Sequence, residues 1–192
     1  MRNSKLVTLV EGAIIAVAAL LLSFIPIQTP NAAFDLSIGL IPLLVFALRR
    51  GAPAGMAAGF VWGLLCIVLG KAYVLSVPQV IFEYPFAFAF GGLGGLLSGK
   101  LRRSISEKNI KKAVIIASLA AVISAFSRWF WHFWAGVLVW GDYAPEGMSP
   151  WLYSFTLNGL SAVANAVMLV VVVGVLVRTA SHLFVPKQIG SY

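Results

Sequence analysis

The chain has 192 residues, 60% of them hydrophobic and only 10% charged, with a mean hydropathy of +0.95. Soluble domains run roughly 45–50% apolar and about 25% charged. Too little polar surface is available to cover a globule in water, which excludes both a soluble enzyme and a disordered chain. The net charge of +8 is gathered in short clusters between apolar stretches, the positive-inside pattern of a membrane protein rather than a nucleic-acid-binding face.

The sequence predicts an all-α integral membrane protein, one domain over 1–192. Its six transmembrane helices fall near 6–26, 36–48, 52–70, 76–99, 113–140 and 151–177. At about 20 residues per span, the bilayer admits no more than seven or eight from a chain of this length. The first stretch follows Arg2 and Lys5, and Asn31–Ala32–Ala33 after it imitates a signal-peptide cleavage site. The run is long for a signal peptide and Glu11 interrupts it, which favours an uncleaved first helix. The second stretch is short, covering about 20 Å of a hydrocarbon core roughly 30 Å thick. Charge argues that it crosses nonetheless. With six spans and both termini cytoplasmic, twelve of the fourteen Lys and Arg residues lie inside, leaving Lys71 outside and Arg128 within a helix.

Small residues mark packing faces. Gly55, Gly59 and Gly63 are spaced by four, as are Gly91, Gly95 and Gly99, and Gly12, Ala16 and Ala19 form a further small face on the first helix. Such ridges let helices approach closely in lipid, either within the chain or against a partner. The single cysteine, Cys66, lies in an apolar run and reads as a core thiol, with no disulfide available to it.

Polar side chains inside spans are costly in lipid and are functional candidates by default. Glu83 lies about seven residues into the fourth stretch from its outer end, and Asn158 about as far into the sixth, with Tyr153 near its mouth. On the fifth stretch, Arg128, His132, Gly136 and Trp140 recur every fourth residue and predict one stripe. At 1.5 Å per residue, Glu83 and Asn158 both sit on the order of 10 Å below the outer surface. Three helices thus place polar groups at one depth, predicting a pocket in the outer half. A carboxylate, an imidazole, an amide and aromatic faces suit a small, flat, cationic heterocycle, and Gly136 would leave a gap for its ring. Simpler roles stand beside these. Glu83 could neutralise Arg128 as a structural pair, His132 could be a core histidine, Asn158 an interhelical hydrogen-bond partner, and Tyr73 and Tyr84 members of an interfacial belt. No phosphate loop, HExxH or GxSxG motif occurs, and His132 and His182 lie far apart. The chain is expected to be no enzyme, to hold no metal or cofactor, and not to use ATP itself.

Two runs carry a family resemblance. One extends from Arg49–Arg50–Gly51 through Gly59-Phe60-Val61-Trp62-Gly63-Leu64 and Tyr73-Val74-Leu75-Ser76 to Glu83–Tyr84. The other runs from His132-Phe133-Trp134-Ala135-Gly136 to Trp140, then Tyr143–Ala144, Gly147 and Tyr153-Ser154-Phe155-Thr156-Leu157-Asn158-Gly159. Over residues 9–177 the sequence resembles the thiamine-specific S components of energy-coupling factor (ECF) vitamin transporters. The resemblance implies a subunit of the bacterial cell membrane that captures thiamine from outside. It implies as partners a transmembrane coupling subunit and two cytoplasmic ATPases. Carried over by position, Glu83 would hydrogen-bond the aminopyrimidine with help from Asn158 and Tyr153. His132 and Trp140 would line and stack on the rings with Gly136 between them, and Trp62, Tyr73 and Tyr84 would complete the wall. Phe34 stands where the family has a lid tryptophan. Ala13, with Ala16 and Val17, stands where the family has an alanine-spaced docking motif. The competing expectation is an autonomous proton-coupled carrier with Glu83, Arg128 and His132 as its relay.

Overall fold

A chain surrounded by lipid must satisfy its backbone N–H and C=O groups internally, and helices do this within a single segment. The computed structural model describes residues 4–25, 27 and 34–186, and among them forms helices and no β-strand. The main helices are α1 (Ser4–Leu22), α2 (Leu40–Arg50), α3 (Ala52–Val68), α4 (Val77–Ser106), α5 (Ile110–Leu138) and α6 (Pro150–Thr179). By length and composition α1, α4, α5 and α6 are able to cross a membrane, and α3 is a shorter apolar helix. Arg2, Asn31–Ala32–Ala33 and Lys187 lie outside the described residues.

Local chemistry sets the helix ends. The side chains of Ser76, Asn109 and Ser149 accept the backbone N–H groups of Gln79, Lys112 and Leu152, capping α4, α5 and α6. Prolines in the first turns of α3, α4 and α6 sit where no intrahelical donor is needed. A single residue, Gly51, reverses the chain between α2 and α3 at φ 97°, a conformation that side chains rarely adopt.

Helix α2 is the most enclosed element, with Leu40, Leu43, Leu44 and Leu48 fully buried. Its eleven residues give about 16 Å of helix, so it starts later than 36–48 suggests. Residues 34–39 precede it as non-helical chain, a form tolerated at membrane depth where protein buries it or it lines a cavity. Both conditions hold. The N–H groups of Asp35 and Ser37 donate to Ser161 Oγ (3.1 Å) and Asn165 Oδ1 (2.9 Å), and Asn165 Nδ2 donates to the Asp35 carbonyl (2.7 Å).

Glycine brings α3 onto α4. A methyl group added at Gly59 or Gly63 would collide with the Phe88 or Tyr84 carbonyl, and one at Gly55 with Ala47. On α4 the tight positions are Gly92, Gly94 and Gly95, whereas Gly99 faces open space, so the expected ridge ends at Gly95. The physical reason is that α4 is not wound uniformly. It passes through a π-helical turn at Phe82–Phe86 and a 3-10 stretch at Gly92–Leu97, which breaks the four-residue spacing. Pro85 lies in the wide turn. It lacks an N–H and crowds the preceding turn, and wider winding relieves that crowding. Ser124 on α5 donates to the Gly91 carbonyl at 2.6 Å, pinning the same region from the other side.

The outside of the bundle is apolar. On α6, Val163, Val167, Val171 and Val175 are each more than half exposed and lie one turn apart, and Ile115, Leu119, Val122, Phe126 and Phe130 form a second exposed row on α5. Water does not tolerate stripes of this extent, and lipid does. The facing interior of α5 is alanine: Ala113, Ala117, Ala120, Ala121 and Ala125 are all buried, allowing close packing on its neighbours. On α1, Gly12 packs against Phe46, and Ala16 (1% exposed) and Ala19 are buried. This face is intramolecular, so Ala16 does not share the outer surface on which Ala13 and Val17 stand.

The basic clusters meet at one end. Lys5, Arg49, Arg50 and Arg102 surround a common depression there, with Lys100, Arg102 and Arg103 on the last turns of α4, which runs past the expected end at 99 to Ser106. Arg50 binds Glu11 through Nε (2.6 Å) and Nη2 (2.8 Å), and Nη1 of Arg49 donates to the carbonyls of His182, Leu183 and Val185.

Candidate functional site

At the opposite ends of α1 and α2 the helices part around a cavity of about 690 Å³, lined from α1, the 34–40 segment, the loop after α3, α4, α5 and α6. Pockets for small organic ligands fall in the range of roughly 300–1,000 Å³. Of the residues singled out in the sequence, Tyr73, Glu83, Tyr84, His132, Gly136, Trp140, Tyr153 and Asn158 line it.

Glu83 is held at the start of the π-helical turn. One carboxylate oxygen accepts the indole N–H of Trp140 at 2.6 Å and the other a short hydrogen bond from Gln79 Nε2. Gln79 is fully buried and also donates to the Tyr73 carbonyl (2.9 Å) while accepting the Leu75 N–H (3.0 Å). The Tyr84 hydroxyl accepts the Tyr73 N–H at 2.8 Å, and the Tyr73 ring packs on Trp140 with centroids 5.6 Å apart. The loop after α3 and the end of α5 are thereby tied to one carboxylate.

That carboxylate forms no ion pair among the described residues. Arg128 pairs instead with Asp35 (3.3 Å) and lies over the Phe88 ring (5.1 Å). The structural Glu83–Arg128 pair considered from the sequence is therefore absent. Glu83 is an anionic group satisfied by two neutral donors, with lone pairs remaining. Further groups belong to the same lining: His132 Nε2, Arg128 Nε and Trp129 Nε1 are buried without a hydrogen-bond partner among the described residues. Buried polar atoms are ordinarily paired, and exceptions need an explanation.

Several expectations need correction. Helix α5 ends at Leu138, so Trp140 is not the fourth member of a helical stripe; it opens a 3-10 turn (Trp140–Tyr143), and its indole still reaches the cavity. Gly136 leaves no free gap, because Ser154 and Asn158 of α6 occupy the space a side chain would take. Asn158 donates to Ser154 Oγ (3.1 Å), which donates to the Phe133 carbonyl (2.7 Å). Trp62 is fully buried, packed on Phe88 at 4.2 Å with Gly39 against its edge, and Phe88 rather than Trp62 faces the cavity. Phe34 is half-buried beside Asp35 and is not among the lining residues.

Sequence reasoning missed Asp35, Ser161 and Asn165, all in the lining, and gave no role to Ser154, also in the lining, or to Gln79 behind it. A signal for part of this set exists: Ser154, Asn158, Ser161 and Asn165 share one helical face at steps of four, three and four. Among the described residues, no group of three or more His, Cys, Asp or Glu side chains is placed to hold a metal.

Residues 9–185 match the family model described as "Thiamine transporter protein (Thia_YuaJ)". The chain belongs to the thiamine transporter family. It is 42% identical over 194 residues to the thiamine transporter ThiT of Lacticaseibacillus paracasei, covering 100% of this chain and 96% of that one. To ThiT of Bacillus subtilis it is 29% identical over 185 residues, covering 95% and 96%. A solved structure of ThiT from Listeria monocytogenes superposes with a TM-score of 0.92 at 40% identity, covering 96% of this chain and 100% of that one. This is a family of transporters rather than of enzymes, and with its apolar helices the chain is a multi-pass membrane protein.

Proposed function

We propose that the protein is the thiamine-capturing S component of an ECF-type importer in the bacterial cell membrane. Six helices form its one membrane domain, both termini are cytoplasmic, and thiamine is taken up from outside into the cavity. The observation that carries this reading is Glu83, an anionic group in a wall of aromatic rings that has no cationic partner among the described residues. Thiamine joins an aminopyrimidine, which donates hydrogen bonds, to a permanently cationic thiazolium ring. The carboxylate accepts the amino group and offsets the positive charge, while Asn158 and Tyr153 complete the polar contacts. Trp140, braced by its bond to Glu83 and by Tyr73, offers a flat face to the cation. His132 contributes the nitrogen that has no partner among the described residues, and Tyr84 holds the loop that bears Tyr73. Trp62 acts from behind, backing Phe88, and Phe34 provides aromatic cover beside Asp35.

With no phosphate loop in the chain, ATP is used by two cytoplasmic ATPases, reached through a transmembrane coupling subunit. Ala13 and Val17 are on the outer face of α1, where that subunit docks. The test is a thiamine titration of the purified chain followed by tryptophan fluorescence, with calorimetry beside it. Saturable binding that weakens tenfold to a hundredfold in Glu83→Gln supports the reading. Equal affinity in that variant removes Glu83 from the site. Thiamine-driven proton movement in liposomes holding this chain alone favours an autonomous carrier instead.

A further inference from the structure

Besides Glu83 and Lys71, the cavity is lined by one further carboxylate and one further cation, and these two face each other. Asp35, on the segment before α2, accepts a hydrogen bond from Arg128 Nη2 at 3.3 Å. Arg128 stands about 15 Å along the axis from the end of α5, beyond which Trp140 meets Glu83. The pair and Glu83 therefore mark different ends of one space. Lys71, on the loop after α3, holds its ammonium over the Phe24 ring at 5.6 Å. Two carboxylates thus stand against two cations in the lining.

The Asp35–Arg128 contact is a poor structural clamp. It uses one guanidinium nitrogen rather than a two-pronged fork. Arg128 Nε is buried with no hydrogen-bond partner among the described residues. The Asp35 side chain remains 38% exposed and borders the cavity. Nor does the segment depend on the pair for its shape. The N–H and carbonyl of Asp35 are held by Ser161 and Asn165, whatever its side chain does. The fold thus brings a carboxylate to Arg128 without needing that carboxylate to hold the backbone.

Its effect is electrostatic. An uncancelled guanidinium repels a cationic ligand across a space walled by apolar and aromatic groups, where screening is weaker than in water. The same guanidinium attracts phosphate, which carries about −1.5 to −2 charge near neutral pH. Thiamine ends in a hydroxyethyl arm that can carry a phosphate ester. A molecule whose aminopyrimidine is held at Glu83 extends that arm toward Arg128. We propose that Asp35 is a specificity-determining residue, cancelling Arg128 so that the cavity favours the free cationic vitamin over its phosphate ester. This inference rests on the thiamine reading.

The test is calorimetric titration of the full chain in detergent with thiamine and with thiamine monophosphate. Asp35→Asn should move the affinity ratio toward the phosphate ester by about tenfold, the effect of one charge in a partly screened cavity. Arg128→Gln should move it the opposite way, and the double variant should return it near the unmodified value. Asp35→Glu, which keeps the charge, should keep the ratio. Equal weakening of both ligands in Asp35→Asn would reduce Asp35 to a structural role and overturn the inference, with thiamine binding by the unmodified chain still intact. Shifts in the same direction for Asp35→Asn and Arg128→Gln would overturn it too. Should Asp35→Asn not fold, the sign of the shift in Arg128→Gln decides. An unmodified chain that binds neither ligand overturns the thiamine reading and this inference with it.

Discussion

The α3–α4 seam and the cavity are built by opposite means within one small bundle. Along the seam, backbones touch because Gly55, Gly59 and Gly63 carry no side chain to hold them apart, and the contact is made by carbonyls and methyl groups. Around the cavity, the chain stays apart and is joined by long-range hydrogen bonds: Trp140 to Glu83, Asn165 to Asp35, Ser154 to Phe133. Lipid supplies no hydrophobic drive between helices. Close packing therefore carries stability where the helices meet, and polar bonds hold shape where they must part.

The sharpest way to break this contrast is Gly59→Val. Overpacking at a backbone contact costs about 3 kcal/mol, which thermal melting would register as a large loss of stability. The thiamine affinity of the fraction that stays folded should be unchanged; a specific affinity loss would mean the seam shapes the cavity. Glu83→Gln should do the reverse, lowering affinity by about 1.5–3 kcal/mol with little change in melting. Asn165→Ala leaves the Ser37 N–H and the Asp35 carbonyl without their partner, a loss of about 1–2 kcal/mol. Faster hydrogen exchange at Ser37 would show it, and unchanged exchange would mean the 34–39 segment is held by other contacts.

The smallest effect lies outside both regions. Arg103, hydrogen-bonded to Glu107 at 2.8 Å, holds that carboxyl below its ordinary range. A carboxyl whose folded pKa is lowered contributes stability above its unfolded pKa and loses it as pH falls through the folded value. Melting of Glu107→Gln should therefore trail the unmodified chain slightly at pH 7 and converge with it under acid. A gap that persists in acid would show that the pair is not its source.

Much of this was legible in the sequence because lipid makes polar residues conspicuous. Glu83, His132 and Asn158 stood out as expensive groups at one depth, and they do line one cavity. What periodicity could not show were the places where winding changes or stops. Trp140 lies beyond the end of α5, and the glycine spacing on α4 fails because that helix passes through wide and tight turns. The family resemblance put Trp62 in the wall, yet the tight seam turns it inward onto Phe88. The Arg128–Asp35 pair joins residues 93 positions apart, and no local pattern announces a partner at that distance. Pro85, two positions after Glu83, was the one local sign that the helix departs from regular winding there.

The mixed winding of α4 also fixes how this helix tolerates changes of length. Each residue of an α-helix turns the chain by about 100°. A wide turn spends about one residue more than ordinary winding for the same rotation, so deleting one residue within Phe82–Phe86 would leave Gln79 facing nearly as before relative to Gly92 and Gly95. The regular turn at Ala87–Gly91 has no such slack, and a deletion there would swing Gln79 and Glu83 out of the cavity by about 100°. Whether α4 absorbs a change of one residue thus depends on which of its turns takes it.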